Sequence, residues 1–405
     1  NNRTFAQRYY VNDEYWAPGS GPVFFLIAGE GTCNGPPGGY IATLGAQYKA
    51  LLVTLEHRFY GESIPEGGAT TENYQFLTVE QALADLAKFT RFYQTNVPAS
   101  ASVPWVAFGG SYPGALSSWY RHTYPQHTVG ALSSSGVTNT IIDFYQFDQQ
   151  ISAAAGNDCG NKIKAIQAAF ARTIATGPAG LQSSLAKLAC DKDMSSTDFY
   201  FMIADSWSMG IQYGAKTKMC GSFGAITEQS SDEEIMNVFA EWSNAYWGKD
   251  FCAGGFYNTK ALADPARWDV NSRSWRYQTC DQVSYFNTAP KTGSLRAQEL
   301  DLHYHLKQCE AMFGKKMFPT SLKMIANYGG EFPKAENVFY SDFSDDPWQR
   351  ASVWFSPSTS QPYHLAMCDD CGHCMDMHTP STSDPAPLVE SRKQFEGYLA
   401  QWIKK

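Results

Sequence analysis

A serine, a histidine and an aspartate can together cleave an acyl bond, provided a fold brings them to one place. In this chain of 405 residues the serine that stands out is Ser111, in Val103-Pro-Trp-Val-Ala-Phe-Gly-Gly-Ser-Tyr-Pro-Gly-Ala-Leu. A strand-like apolar run precedes it and a helical pattern follows. A sharp turn at such a junction holds out a hydroxyl where a base can reach it and where backbone N–H groups can hold an oxyanion. Gly109 stands two residues before the serine, but Pro113 stands two after it, where G-x-S-x-G has glycine. Proline is tolerated in a first helical turn, because the N–H it lacks has no helical partner there. The plain alternative is an ordinary strand-to-helix turn.

Such a hydrolase needs an acid after a later strand and a histidine after the next. Downstream, Asn337 to Ser341 leads into Asp342-Phe-Ser-Asp-Asp-Pro-Trp, and Pro362 to Met367 leads into Gly372-His373-Cys374-Met375-Asp376-Met377. On residue type and order alone, Asp342, Asp345 and Asp346 all compete for the acid's role, and each can equally be a solvated or turn-capping acid. His373 has a rival use, since Cys368-x-x-Cys371-x-x-Cys374 beside it has zinc-ligand spacing. The ten cysteines argue against that: an even number scattered through the whole chain suits disulfides and an oxidising compartment, without revealing their pairing. His57, His303 and His305 read as packed or solvated.

The oxyanion is expected to meet the backbone N–H of Tyr112, the residue after the nucleophile, and that of Gly29, which follows the first strong strand. Gly29 can also be a plain turn glycine. Glu30 beside it could bind a substrate's terminal amine or be a buried structural acid. No metal or other cofactor is expected.

These residues need a scaffold, and the pattern supplies one. Gly21 to Ala28, Leu51 to His57, Val103 to Phe108 and Val129 to Ser134 read as buried strands, alternating with helices over Tyr40–Ala50, Leu77–Tyr93 and Pro113–Tyr124. Thr78 and Gln81 stand at capping-box spacing. This is the signature of a parallel sheet covered by helices. Between residues 140 and 319 the pattern turns helical, as in Asn161–Ile174, Ser231–Trp247 and Leu295–Phe313. Strand and helix alternation resumes with NVFYSD and PYHLAM and ends in an amphipathic helix carrying Leu388, Phe395, Leu399 and Trp402. The fold class is therefore α/β, with a sheet domain over 1–139 and 320–405 and a mostly helical cap over 140–319.

Composition excludes other classes. The net charge of -8 is spread along the chain, and no basic cluster exists to neutralise phosphates, so nucleic acid is not an expected partner. No apolar run approaches the roughly 20 residues a membrane span requires. The chain opens at Asn1 without a charged-then-apolar leader, as a mature secreted form would, and Asn2-Arg3-Thr4 is a glycosylation sequon.

Taken together, Phe5-Ala-Gln-Arg-Tyr-Tyr-Val-Asn, Glu56-His-Arg-Phe-Tyr-Gly-Glu-Ser63, Leu77-Thr-Val-Glu-Gln-Ala-Leu-Ala-Asp85, Gly109-Gly-Ser-Tyr112, Tyr277-Gln-Thr-Cys280, Asp346-Pro-Trp348 and Gly372-His-Cys-Met-Asp376 make a nearly end-to-end resemblance. The chain resembles the lysosomal Pro-X carboxypeptidase and dipeptidyl peptidase II family of serine peptidases, with the thymus-specific serine protease and fungal prolyl endopeptidases. The resemblance implies an α/β-hydrolase fold and the triad Ser111, Asp346 and His373, selecting Asp346 because it precedes Pro-Trp. Many relatives have Asn-Gly where this chain has Asp342-Phe343, and glycine where it has Pro113. The resemblance further implies cleavage after proline or alanine, an acidic working pH, a secreted or lysosomal setting, and Trp348 as a wall of the proline slot. Expected partners are peptide or protein substrates rich in proline and a second copy in a homodimer, with no membrane or nucleic acid. The rival readings are an esterase or lipase on the same fold and a hydrolase-fold binding protein without activity.

Overall fold

The computed structural model describes residues 4–253, 255–267 and 269–404, so the sequon residue Asn2 lies outside the described residues. Apolar runs without polar interruption must be buried on both faces, and here they form the centre of a seven-stranded sheet. Its strands are β1 (Tyr9–Asn12), β2 (Val23–Ile27), β3 (Leu51–Leu55), β4 (Trp105–Gly110), β5 (Gly130–Ser134), β6 (Val338–Phe343) and β7 (Tyr363–Ala366). They lie in the order β1-β3-β2-β4-β5-β6-β7. Every pairing from β3 to β7 is parallel.

The outermost pairing departs from the expected parallel sheet, because β1 runs antiparallel to β3. Its four residues alternate exposed and half-buried, as suits an edge strand wet on one face. So short an alternation carries little signal in sequence.

The helices α1 (Gly39–Tyr48), α2 (Val79–Asn96) and α3 (Tyr112–Thr123) link these strands. Thr78 caps α2, its side chain accepting the Gln81 N–H at 3.2 Å. One core layer joins Phe24, Leu44, Leu52, Val106, Phe108, Leu132 and Phe339 to Phe395, Leu399 and Trp402 of the terminal helix Ala386–Ile403. Each such side chain contributes roughly 1.5–3 kcal/mol on burial. The chain leaves β2 for β3 on one side and returns past β2 to β4. Strand order thus reverses at β2, and in open sheets such a reversal leaves a crevice at the carboxyl ends.

By packing, the chain divides into two compact units. The sheet unit comprises the chain through Thr140, Thr320–Ser344 and the segment from Ala351 onward, and the helical unit comprises Ile141–Pro319 with Asp345–Arg350. The helical unit is built on Tyr145–Ala175, which kinks at Gly156 (φ 69°, ψ 177°), and on Ser196–Gln212 and Asp232–Trp247. Ser231 caps the last of these with a complete capping box. Phe170, Phe199, Trp207, Phe239 and Trp242 interlock between these helices, joined by Phe223 at the end of the helix Lys216–Phe223.

Two expectations for this region change. The helix expected from Asn161 is the second part of the longer Tyr145–Ala175. The one expected over Leu295–Phe313 begins only at Leu302, where Asp301 accepts the Tyr304 N–H at 2.8 Å. Asp148 takes the preceding segment out of the helix, accepting the Leu295 N–H at 2.9 Å and the Arg296 Nε at 3.1 Å.

Cysteine pairs join 159 to 220, 190 to 252 and 280 to 309 in the helical unit, and 368 to 371 in the sheet unit. Cys33 and Cys374 remain thiols, so the disulfide set takes eight of the ten cysteines. The Cys368–Cys371 bond also removes two thiolates from the zinc reading of that loop.

Candidate active site

Ser111 stands between the end of β4 and the start of α3 with φ 63° and ψ -131°, in the left-handed half of backbone space. A non-glycine residue there costs of order 1–3 kcal/mol and persists only where its surroundings hold it. The Ser111 N–H donates to the Ser134 carbonyl at 2.9 Å, and its own carbonyl accepts the Ala115 N–H at 3.0 Å. Glycines permit the close approach that the turn needs. A Cβ on Gly109 would strike the Pro113 carbonyl, and one on Gly110 would lie 2.8 Å from Cys374 Sγ and 2.7 Å from Met377 Sδ.

The loop after β2 closes onto the same turn. A Cβ on Gly29 would overlap the Pro113 ring, so the proline that stands where G-x-S-x-G has glycine seats the Gly29 loop. Glu30, next in that loop, is half-buried. Desolvation pushes its carboxyl up, opposed by its own backbone N–H and by the charge of His373.

His373 lies in the loop after β7 and is 6% exposed. The strand ends fix that loop. The Cys374 N–H donates to Ser135 Oγ at 3.0 Å, and Cys374 Sγ donates to the Ser134 carbonyl at 3.7 Å. Buried Asp376 accepts from Ser341 Oγ at 2.5 Å and from Ser134 Oγ, while its backbone carbonyl accepts Arg392 Nε at 2.9 Å. Burial pushes the Asp376 carboxyl up, and the two serine hydroxyls oppose that.

Ser134 therefore joins three parts of the site: its carbonyl accepts from the Ser111 N–H and from Cys374 Sγ, and its hydroxyl donates to Asp376. Sequence reasoning missed Ser134 and Ser341, since a small polar residue at a strand end has no distinguishing signal. Asp376 was present in the Gly372-His-Cys-Met-Asp376 stretch but had no role attached. Within the sheet unit, Ser111, Tyr112, Gly29, Glu30 and His373 all lie at the carboxyl ends of β2, β4 and β7.

The three candidate acids have different surroundings. Asp342 lies within β6 and is fully buried. Asp345, in the helical unit, pairs with Lys216 Nζ at 3.0 Å. Asp346, also in that unit and fully buried, accepts the Trp348 N–H at 2.9 Å. The Trp348 indole N–H donates to Gln212 Oε1 at 2.9 Å. Its ring lies 5.1 Å from Phe147, 5.7 Å from Tyr285 and 5.8 Å from Phe144, and the residue remains half-buried.

A family model described as serine carboxypeptidase S28 matches residues 1–395. The probable serine protease EDA2 of Arabidopsis thaliana is 32% identical over 100% of this chain and 83% of its own length. The thymus-specific serine protease of Mus musculus is 28% identical over 99% of this chain and 84% of its own. The lysosomal Pro-X carboxypeptidase of Homo sapiens is 25% identical over 99% and 85%. The four disulfides fit a secreted or lysosomal protein, and among the described residues no helix is long and apolar enough to cross a membrane. A mostly parallel sheet with a serine on the sharp turn after β4 and a helical insertion between β5 and β6 is the α/β-hydrolase arrangement. With that fold and a family match along almost its whole length, the chain belongs to the serine carboxypeptidase S28 family and is a serine-type peptidase.

Proposed function

We propose that this peptidase cleaves after proline or alanine through an acyl-enzyme on Ser111, in an acidic compartment. The observation that carries the reading is the strained Ser111 backbone, tethered through Ser134 to the loop that bears His373. His373 takes the Ser111 hydroxyl proton as the oxygen attacks the carbonyl, then delivers it to the leaving amine. Asp346 fixes the imidazole tautomer, a role assigned from its place before Pro347-Trp348 and from the chain order Ser, Asp, His. The N–H groups of Tyr112 and Gly29 receive the oxyanion. Water then repeats the attack on the acyl-enzyme, with His373 again as base.

Specificity is assigned to Trp348. Its indole N–H is fixed by Gln212 and its ring is braced by Phe144 and Phe147, so its open part is a rigid apolar wall suited to proline's flat ring. Glu30 is assigned to a substrate amine, because a desolvated carboxyl gains most from a cation. Acidic working conditions are supported by the lysosomal relative.

A fluorophosphonate probe followed by peptide mapping tests the nucleophile, with the label expected on Ser111. Mass spectrometry of a proline-containing peptide with free and with blocked ends tests the cleavage mode, with products expected to end in proline or alanine. Label on another serine, or equal kcat/KM for Pro, Leu and Lys before the cut, would overturn the corresponding part.

A further inference from the structure

The residue after the nucleophile has a second attachment, through its side chain. Tyr112 is fully buried, and its phenol oxygen lies 3.1 Å from His57 Nε2. The other ring nitrogen, Nδ1, lies 2.7 Å from the Arg58 carbonyl. A carbonyl only accepts, so Nδ1 carries the proton and Nε2 presents its lone pair. The Tyr112 hydroxyl must then be the donor. Burial lowers the His57 pKa to about 4, which keeps the ring a neutral acceptor at any less acidic pH.

His57 is itself immobilised by its neighbours in sequence. Glu56 accepts from Arg8 Nη2 at 2.6 Å, the Cys33 N–H at 2.9 Å, the Glu62 N–H at 3.0 Å and Ser63 Oγ at 2.7 Å. Arg58 forks onto both oxygens of Asp85 on α2, each at 2.6 Å. The segment Glu56–Arg58 is thereby fixed to the Arg8 strand region, to the loop after β2 and to α2. It also touches both segments that carry the oxyanion donors: Tyr112 through His57, and the Gly29 loop through the Cys33 N–H.

We propose that His57 is a positioning residue of the oxyanion hole, acting by clamping the Tyr112 side chain so that the Tyr112 backbone N–H stays aimed at the developing oxyanion. This rests on the reading of Ser111 and Tyr112 given above. The physical need lies at Ser111, whose strained backbone gives the next peptide unit reason to relax. A ring fixed at its far end resists that rotation. A buried tyrosine and histidine that merely satisfied each other would affect stability and leave the chemical step alone.

The test compares Tyr112→Phe, His57→Gln and the double variant in the full chain. It reads kcat and KM on a proline-containing chromogenic peptide, the affinity for a peptide boronic acid, whose tetrahedral adduct occupies the oxyanion hole, and the affinity for an uncleaved product peptide. Losing one oxyanion donor costs about 10²–10³ in kcat, so a loosened donor should cost about 10- to 100-fold. The expected result is that loss in kcat for Tyr112→Phe, a parallel loss in boronate affinity, and KM and product affinity within about two-fold of wild type. The double variant should be no worse than the weaker single one, since the two residues act as a unit. Tyr112→Phe keeps the ring, so it decides the matter even if His57→Gln does not fold. Wild-type kcat and boronate affinity in Tyr112→Phe, beside an inert Ser111→Ala, overturns the clamp alone. Full turnover in Ser111→Ala overturns the nucleophile and the clamp with it.

Discussion

The two units are held together by different means. The helical unit carries three cystine bridges, spanning 61, 62 and 29 residues, each joining segments far apart in sequence. The sheet unit has one bridge, across 3 residues, and leaves Cys33 and Cys374 as thiols. The difference follows from what each can bury. A seven-stranded sheet with helices against it makes a continuous core of strands whose backbone polar groups pair with one another. Helices of four to some thirty residues, joined by irregular segments, gain less from local pairing, and covalent closure limits the freedom of their unfolded chain. The proposed nucleophile, base and oxyanion donors all lie on the unit without long bridges.

The largest effect should come from the chemistry. Ser111→Ala should lower kcat by about four to six orders of magnitude with the thermal melting profile unchanged, since a methyl group fills the space. Steady-state kinetics beside calorimetry checks both halves of that statement.

Next is the stapling of the helical unit. Replacing Cys159 and Cys220 together by serine removes a 61-residue loop closure. In the chain-entropy account this costs about 4 kcal/mol, read as a lower denaturant midpoint. A loss confined to a fraction of the unfolding transition would mean that the two units melt separately.

A buried histidine supplies a third effect, this time in the sheet unit. The folded His57 pKa of about 4 lies below the unfolded value. As pH falls below about 6.5, the unfolded chain takes a proton that the folded one refuses. Stability is therefore present above about 6.5 and lost down to about 4, by about 3 kcal/mol for this group. Urea unfolding of wild type and His57→Gln at pH 7 and pH 4.5 should show the wild type falling more steeply. Equal slopes would remove His57 from that balance.

Trp348→Ala should weaken discrimination for proline over larger residues by roughly 1–3 kcal/mol in kcat/KM, with a small activated ester still cleaved. Smallest is the short bridge: replacing Cys368 and Cys371 by serine removes a closure of only 3 residues and should cost less than about 2 kcal/mol. A cost as large as that of Cys159 and Cys220 would break the contrast between the units.

Most of the sheet was legible because buried parallel strands read as near-continuous apolar runs, as VFFLI does and as LLVTL does with Thr54 its one polar residue. Strand β1 was not, since four residues at an edge carry too short a period. The stretch Leu295–Leu300 has helical composition, but Asp148, 147 residues earlier, takes its N–H and its arginine, so a distant buried ion pair overrode local propensity.

The site divides in the same way. Sequence by itself determined the candidates Ser111 and His373 and the cluster Asp342, Asp345 and Asp346, because their order and flanking strands are local properties of the chain, while the choice of Asp346 within that cluster came from the family resemblance. It also determined the need for glycine at 109, where the turn follows directly on the strand. Only the tertiary structure decided that Ser134 would join the nucleophile turn to the histidine loop, because that depends on the register that sets Gly110 opposite Ser134. It alone decided which cysteines pair and that His57 meets Tyr112 across 55 positions. Such contacts depend on which strand lies beside which, and strand order is set by the burial of the whole sheet rather than by any one segment.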